Sequence, residues 1–275
     1  MSDSPAALLE IAIEAARRGG VELVQRAGRF EARLKGAFDF VTDADEASQH
    51  AIEAVIRRSR PDDVFVGEEG EASERRPDEG ELAWVADPLD GTMNFVHGFP
   101  CYAVSVGVTR GDRLQAGAIY DPNRDELFAA SLRGGAFLEH AGTRRPMRVT
   151  ASRSIDQAML AMSLPANVAE NSPDLLDFVR LAPRCQAVRR IGSAALNLAY
   201  LACGRIDGHW AREIKPWDVA AGVLLVTEAG GEVCASDGGA FDLWKADFVA
   251  ASTPALHAEL LAALTVAAPQ SQPDA

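Results

Sequence analysis

The segment Trp84-Val85-Ala86-Asp87-Pro88-Leu89-Asp90-Gly91-Thr92 runs an apolar strand directly into two carboxylates three residues apart. Pro88 and Gly91 stiffen and tighten the exit. Asp87, Asp90 and the Leu89 carbonyl can then converge on one small volume, which suits a hard, oxygen-ligated cation. The same residues also suit a solvated turn. Glu68-Glu69 ends a second apolar run, Val64 to Gly67, and because adjacent side chains diverge, only one of the pair faces a site there. Asp218, in Pro216-Trp217-Asp218, opens the apolar helical run Val219 to Ala229 ahead of Gly230-Gly231. It reads equally as a cap that satisfies backbone amides. Thr42 and Asp45 have nearly the spacing of a capping box, yet a threonine hydroxyl held by a carboxylate can also relay a proton. Thr92, beside the Asp90 turn, is the better placed hydroxyl for touching a nucleophilic water, with Asp45 to orient it.

Periodicity and punctuation predict the elements that position these groups. Ala6 to Ala27 reads as an amphipathic helix with Leu9, Ile13, Val21 and Val24 on its apolar side and Gly19-Gly20 weakening its middle. Ala44 to Arg60 reads as a second helix, capped by Thr42 and ended by Pro61. Strands are expected at Val64 to Gly67 and Leu82 to Ala86, and as a hairpin Tyr102 to Thr109 with Leu114 to Tyr120. Three more are expected at Leu127 to Ala130, Ala136 to Glu139 and Met147 to Val149. Beyond Pro165, helices at Pro173 to Leu181, Ser193 to Ala202, Val219 to Ala229 and Pro254 to Val266 enclose strands at Gln186 to Val188, Ile206 to Trp210, Gly231 to Cys234 and Phe248 to Ala251. The expected organisation is an N-terminal α+β half over residues 1–150, which carries most of the candidate metal ligands, an α/β half over 151–267, which carries the candidate substrate contacts and Asp218, and a flexible tail over 268–275.

Among 275 residues, 40 acidic side chains against 27 basic ones give a formal charge of -13, which repels nucleic acid and anionic membranes. An anionic substrate needs a local inversion of sign, which bound divalent cations supply. Cys101, Cys185, Cys203 and Cys234 form no CxxC pair and read as reduced thiols, all but Cys185 in apolar, core-like runs. The acidic start lacks the pattern of a secretory signal, and no apolar span reaches about 18 residues, so a cytoplasmic protein is expected. The five histidines show no ligand spacing.

Four segments in this order resemble the inositol monophosphatase family over nearly the whole chain: Asp39-Phe40-Val41-Thr42-Asp43-Ala44-Asp45, Gly67-Glu68-Glu69, Asp87 through Phe95, and Trp217-Asp218 through Gly231. The resemblance implies an α/β fold, a layered α/β/α/β/α sandwich of the sugar phosphatase type, commonly a homodimer. It implies two or three magnesium ions on Glu69, Asp87, Asp90 and Asp218 with the Leu89 carbonyl, and sensitivity to lithium. Thr92 with Asp45 would activate the water, Glu69 also serving the catalytic step, and the amides of Gly91 and Thr92 would hold phosphate oxygens. Lys35 matches a family lysine near the site and reads equally as a solvated surface residue. Gly192 and Ala194 match a segment whose backbone meets substrate hydroxyls, or else form an ordinary helix start.

The family usually places a glutamate seven residues before the aspartate of Trp-Asp, where this chain has Ala211. That departure puts a preference for inositol in doubt. Glu213, in an extended strand, would share the face of Ala211 about 7 Å farther along, too far to substitute unless the loop before Pro216 bends back. Arg212 would face solvent or a partner subunit. The implied reaction is hydrolysis of a small phosphate monoester, inositol monophosphate by default, with histidinol phosphate next and fructose or adenosine bisphosphate also open. Some bacterial relatives associate with the transcription machinery, so a protein-binding role is the reading from a different class.

Overall fold

The computed structural model describes residues 3–36, 39–69, 76–245 and 247–264, so the tail expected over 268–275 and the end of the last predicted helix lie outside it. Among the described residues, no helix is long and apolar enough to cross a membrane. Helix α1, Pro5–Arg26, begins where the Ser4 hydroxyl accepts the Ala7 amide and Pro5 occupies the first turn. It buries Leu8, Leu9, Ala12, Ile13, Ala16 and Leu23. Val21 and Val24, expected on that face, are 42% and 57% exposed. The buried stripe runs instead through Gly19 and Gly20, where an added Cβ would come within 2.7 Å of Ser48 Oγ and 2.4 Å of the Tyr120 ring. The two glycines cost about 1 kcal/mol each in helix propensity, yet no larger residue fits this approach.

A hairpin, β1 (Ala32–Gly36) and β2 (Asp39–Thr42), leads into α2, Asp43–Ser59. Thr42 caps α2, and its capping box with Asp45 is complete. A seven-stranded sheet follows: β3 (Val64–Gly67), β4 (Leu82–Asp90), β5 (Ala103–Arg110), β6 (Arg113–Asp121), β7 (Glu126–Ser131), β8 (Gly135–His140) and β9 (Thr143–Pro146). The strands lie in that order, with β3 parallel to β4 and every later pair antiparallel. A short helix, α3 (Thr92–Val96), joins β4 to β5. The strand expected at Met147 to Val149 is absent, the last strand of this sheet being β9. Met147 buries its side chain, which produced the strand-like signal, while its amide bonds the Ala136 carbonyl outside the regular ladder.

The second sheet has five strands in the order β11-β10-β12-β14-β13: β10 (Met159–Met162), β11 (Ala187–Arg189), β12 (Gly208–Ala211), β13 (Glu232–Ala235) and β14 (Phe248–Ala251). Helices α4 (Pro173–Leu181), α5 (Ala194–Ala202), α6 (Pro216–Glu228) and α7 (Pro254–Leu264) complete the chain. Three hydrophobic cores define five layers. Trp84 and Ala86 of β4 face α1 and α2, whereas Val85 of the same strand faces α5 and α6, the period-two alternation of a strand buried on both sides. The far surface of α5 and α6 packs on Ala161, Ala211, Phe248 and Ala250 of the second sheet. Its outer face holds Leu160, Trp210 and Val249 against α7 and Leu181 of α4. The result is the α/β/α/β/α sandwich expected from the sequence. All four cysteines are free and half-buried, so Cys101, Cys203 and Cys234 are less enclosed than their apolar neighbours suggested.

Helix α6 lies directly on β5 and β6. A Cβ on Gly107 would meet Ala220 Cβ at 2.6 Å, and one on Gly117 would meet Ala221 Cα at 2.7 Å. Ser105 Oγ donates to the Trp217 carbonyl at 3.1 Å, fastening the first turn of α6 to β5. This contact places Asp218 over the end of β4.

Candidate active site

Two residues three apart in a regular strand point to opposite faces. The pairing of β4 with β5 avoids that outcome: Asp87 lies opposite Ser105 and Asp90 opposite Ala103, so one extra residue is accommodated between them. The bulge turns Asp87 and Asp90 to the same side, where α6 supplies Asp218. One carboxylate oxygen from each of the three lies within 4.8 Å of the others. Ser48 Oγ of α2 donates to the Pro88 carbonyl at 2.8 Å, and the Leu89 amide donates to Asp87 Oδ1 at 2.8 Å, so the bulge is held from both sides.

The electrostatics are those of a site built for a cation. Burial, then the charges of Glu68, Asp218 and Asp90, raise Asp87 well above the usual carboxylate range. Burial and the Asp218 charge push Asp90 up to about 7, against the hydrogen bonds it accepts. Asp218 is raised by burial, although its Oδ2 accepts the Lys215 amide at 3.0 Å. Asp218 is therefore a first-turn residue of α6 with a capping contact, not the cap itself, because the helix begins at Pro216. Three carboxylates in this state fit a hard divalent cation, whose charge removes the penalty for ionising them.

Asp45 makes contacts that suit both roles left open by its spacing. Its Oδ2 accepts the Thr42 amide at 2.8 Å and the Thr42 hydroxyl at 2.5 Å, while Oδ1 lies 3.1 Å from the Thr92 hydroxyl. Burial pushes the Asp45 carboxyl up to about 6 despite the Thr42 bonds. The Thr92 hydroxyl also lies 3.0 Å from the Leu89 carbonyl. Lys35 is ion-paired with both Glu68, at 3.3 Å, and Glu69. The two glutamates differ. Burial, with Asp218, Glu69 and Asp45 as like charges, pushes Glu68 up to about 8 against the pull of Lys35, and Glu68 in turn raises Asp87. The Glu69 backbone is clasped by the Gln49 side-chain amide, which donates to its carbonyl and accepts its N–H. Glu68 thus bears on Asp87, and Glu69 on Asp45.

A cavity of 370 Å³ opens from Asp90 and Asp218 and is bounded on one side by Gly192 and Ala194. The Ala194 amide is not free: it donates to Asp90 Oδ1 at 3.2 Å, the Ala195 amide donates to Oδ2 at 2.6 Å, and the Ser193 hydroxyl donates there too. Asp90 therefore sits on the N-terminus of α5. Gly91, the cap residue of α3, packs against the Gly192 carbonyl. Ala211 does not reach the cavity; it is the last residue of β12 and fully buried in the core between the sheets. Arg212 and Glu213 both line the cavity, whereas the sequence placed Arg212 on the opposite face and Glu213 out of reach unless the loop before Pro216 bends back. The chain turns after β12, with Glu213 at φ +53°, so extended-strand geometry ceases at Ala211. Sequence reasoning also passed over Ser48, Gln49, Ser193 and Asn94. Asn94 Nδ2 donates to the Cys101 and Ile191 carbonyls at 2.6 and 2.8 Å, tying α3 to the segment before α5. Single polar residues of this kind carry no periodic signal.

Comparison with known proteins agrees with this geometry. A family model described as the inositol monophosphatase family matches residues 4–268. A protein of Rhizobium meliloti named inositol-1-monophosphatase is 37% identical over 237 residues, 85% of this chain and 87% of that one. One of Pasteurella multocida named Nus factor SuhB is 39% identical over 258 residues, 92% of this chain and 94% of that one. Among solved structures, the extragenic suppressor protein suhB of Bartonella henselae superposes with a TM-score of 0.87 at 35% identity, covering 94% of this chain and 99% of that one. The inositol monophosphatase of Anabaena superposes with a TM-score of 0.79, also at 35% identity, covering 97% and 98% of the two chains.

Proposed function

The chain belongs to the inositol monophosphatase family and is a phosphatase, and from that premise we propose magnesium-dependent hydrolysis of a small polyol or sugar monophosphate, with inositol monophosphate as the default substrate. The observation that carries the proposal is the convergence of Asp87, Asp90 and Asp218 within 4.8 Å, the last two lining a cavity. These three, the Leu89 carbonyl and the Glu68-Glu69 pair would hold the ions, Glu68 being favoured by its influence on Asp87. When bound, divalent cations supply charge neutralisation for the phosphate dianion and acidity for an attacking water.

The chain's own groups do the remaining work. The Thr92 hydroxyl, donating to Asp45 Oδ1, leaves its oxygen to accept from a water and aligns that water with the phosphorus. Asp45, buried and fixed by Thr42, holds the hydroxyl in one orientation and stands ready to take up the proton that Thr92 passes on. Lys35 holds the glutamate pair in place through its contacts with both side chains. The amides of Gly91 and Thr92 are the proposed contacts for phosphate oxygens, and Gly192 is the proposed backbone contact for the substrate's hydroxyls.

The test is phosphate release from inositol 1-phosphate, histidinol phosphate, fructose 1,6-bisphosphate and adenosine 3′,5′-bisphosphate, with magnesium and with excess chelator. Turnover that survives chelation overturns the mechanism. Lithium inhibition and a homodimer belong to the same reading, tested by dose response at saturating magnesium and by light scattering. The relatives named Nus factor SuhB favour a second reading, association with a protein partner. Variants lacking Asp90 or Asp218 separate the two, since a binding role outlives the loss of turnover.

A further inference from the structure

The loop after β12 departs from the pattern that the sequence led us to expect, and its consequence concerns substrate choice. A phosphate held over Asp90 and Asp218 fills only part of a 370 Å³ cavity, about a dozen waters' worth of space, and the alcohol portion must project toward the mouth. The rest of the lining includes Arg212 and Glu213. Arg212 is already engaged: its guanidinium bonds Asp174 Oδ1 at 2.7 Å and Asp177 Oδ2 at 2.8 Å, both from α4. Glu213 is not. Among the described residues its side chain has no ion pair and no hydrogen bond, while its backbone N–H is held by Asp247 Oδ1 at 2.7 Å. Its φ of +53° is a conformation that glycine adopts freely and a glutamate rarely does. The turn is anchored on one side by the Arg212 ion pairs and on the other by Asp247, and it brings the exposed Glu213 to the lining of the cavity, a place that Ala211, buried in the core, does not take.

We propose that Glu213 recognises a hydrogen-bond donor, hydroxyl or ammonium, on the alcohol portion of the substrate, a role that residue 211 does not fill in this chain. The proposal rests on the phosphatase reading above and names the substrate class at that same site: polyol or amino-alcohol monophosphates. Glu213 is the one carboxylate of this lining outside the aspartate floor, so a donor in the mouth has a single acidic acceptor to find. A hydroxyl donates a hydrogen bond to the carboxylate there and an ammonium forms an ion pair with it, and the two arms of the experiment distinguish them.

The experiment measures kcat/KM for inositol 1-phosphate, histidinol phosphate and p-nitrophenyl phosphate, the last having no donor on its alcohol portion, in wild type, Glu213→Ala and Glu213→Gly. Glycine suits the backbone at this position and serves as the folding control. The expected result is a fall of roughly 10- to 30-fold in the ratio of kcat/KM for the preferred donor-bearing substrate over p-nitrophenyl phosphate, carried by KM, in both variants. A wild type with no preference for either donor-bearing substrate overturns the proposal, as does a ratio unchanged in Glu213→Gly. Failure of the underlying reading looks different: wild type would then release phosphate from none of the three in magnesium.

Discussion

Replacing Asp90 by asparagine tests whether the carboxylate cluster is strained without metal. Asp90 is buried, and its carboxyl is pushed from an ordinary 3.8 up to about 7, first by burial and then by Asp218. A carboxyl raised in this way favours the protonated folded state, so the cost is absent below 3.8, grows with pH and is complete above about 7. At about 1.4 kcal/mol per pH unit, ionising Asp90 in the metal-free fold costs about 4 kcal/mol at pH 8. Asparagine removes that cost but offers one acceptor oxygen where the carboxylate serves Ser193, Ala194 and Ala195, and a stranded donor costs about 1–3 kcal/mol. The variant in chelator should therefore be about 1–3 kcal/mol more stable than wild type at pH 8. At pH 5, where wild-type Asp90 is already protonated in the fold, the advantage should vanish. Saturating magnesium should reverse the order, because ligand binding stabilises the wild type far more. Urea unfolding at both pH values, with chelator and with magnesium, measures all of these quantities. A variant no more stable than wild type at pH 8 in chelator would refute the reasoning.

Thr92→Ala should lower kcat roughly 10²- to 10³-fold with an unchanged unfolding midpoint, whereas Thr92→Ser, which keeps the hydroxyl, should retain most turnover; steady-state kinetics checks both. Glu68→Gln should raise the magnesium concentration for half-maximal activity more than Glu69→Gln does, since Glu68 bears on Asp87; equal effects would return the ligand role to Glu69. Ala211→Glu, a gain of function on sequence grounds, should instead destabilise the protein by about 2–5 kcal/mol, because it buries a carboxylate among Trp217 and Phe248; thermal unfolding decides.

Much of the fold was legible because its strands carry strong local signals. Val64–Gly67, Pro173–Leu181 and Phe248–Ala251 coincide with the sequence expectation residue for residue. β10 was not seen: Met-Leu-Ala-Met has no β-branched residue and no alternation, and it is a strand only because both sheet faces around it are apolar. The fully exposed β1 gave no pattern at all. In the site, Asp87, Asp90 and Asp218 stood out because carboxylates next to Pro and Gly at strand and helix ends are conspicuous. The distinction between Glu68 and Glu69 was invisible, since it depends on which of two adjacent side chains the exit of β3 turns inward. For Glu213 the sequence left two placements open, because spacing alone assumes the strand continues, and a left-handed residue breaks that assumption.

The position of Asp90 on the N-terminus of α5 has a further consequence. One of its oxygens accepts the Ala195 amide and the Ser193 hydroxyl and the other the Ala194 amide, while the same carboxylate answers to whatever charge occupies the floor of the cavity. Any cation there competes for electron density with two peptide N–H groups that belong to the helix between the sheets. Those two amides are thus reporters of occupancy: their deuterium uptake and proton chemical shifts should change on titration with magnesium, before any substrate is added. The first turn of α5 would thereby serve as a spectroscopic gauge of magnesium binding, an ion that is itself silent.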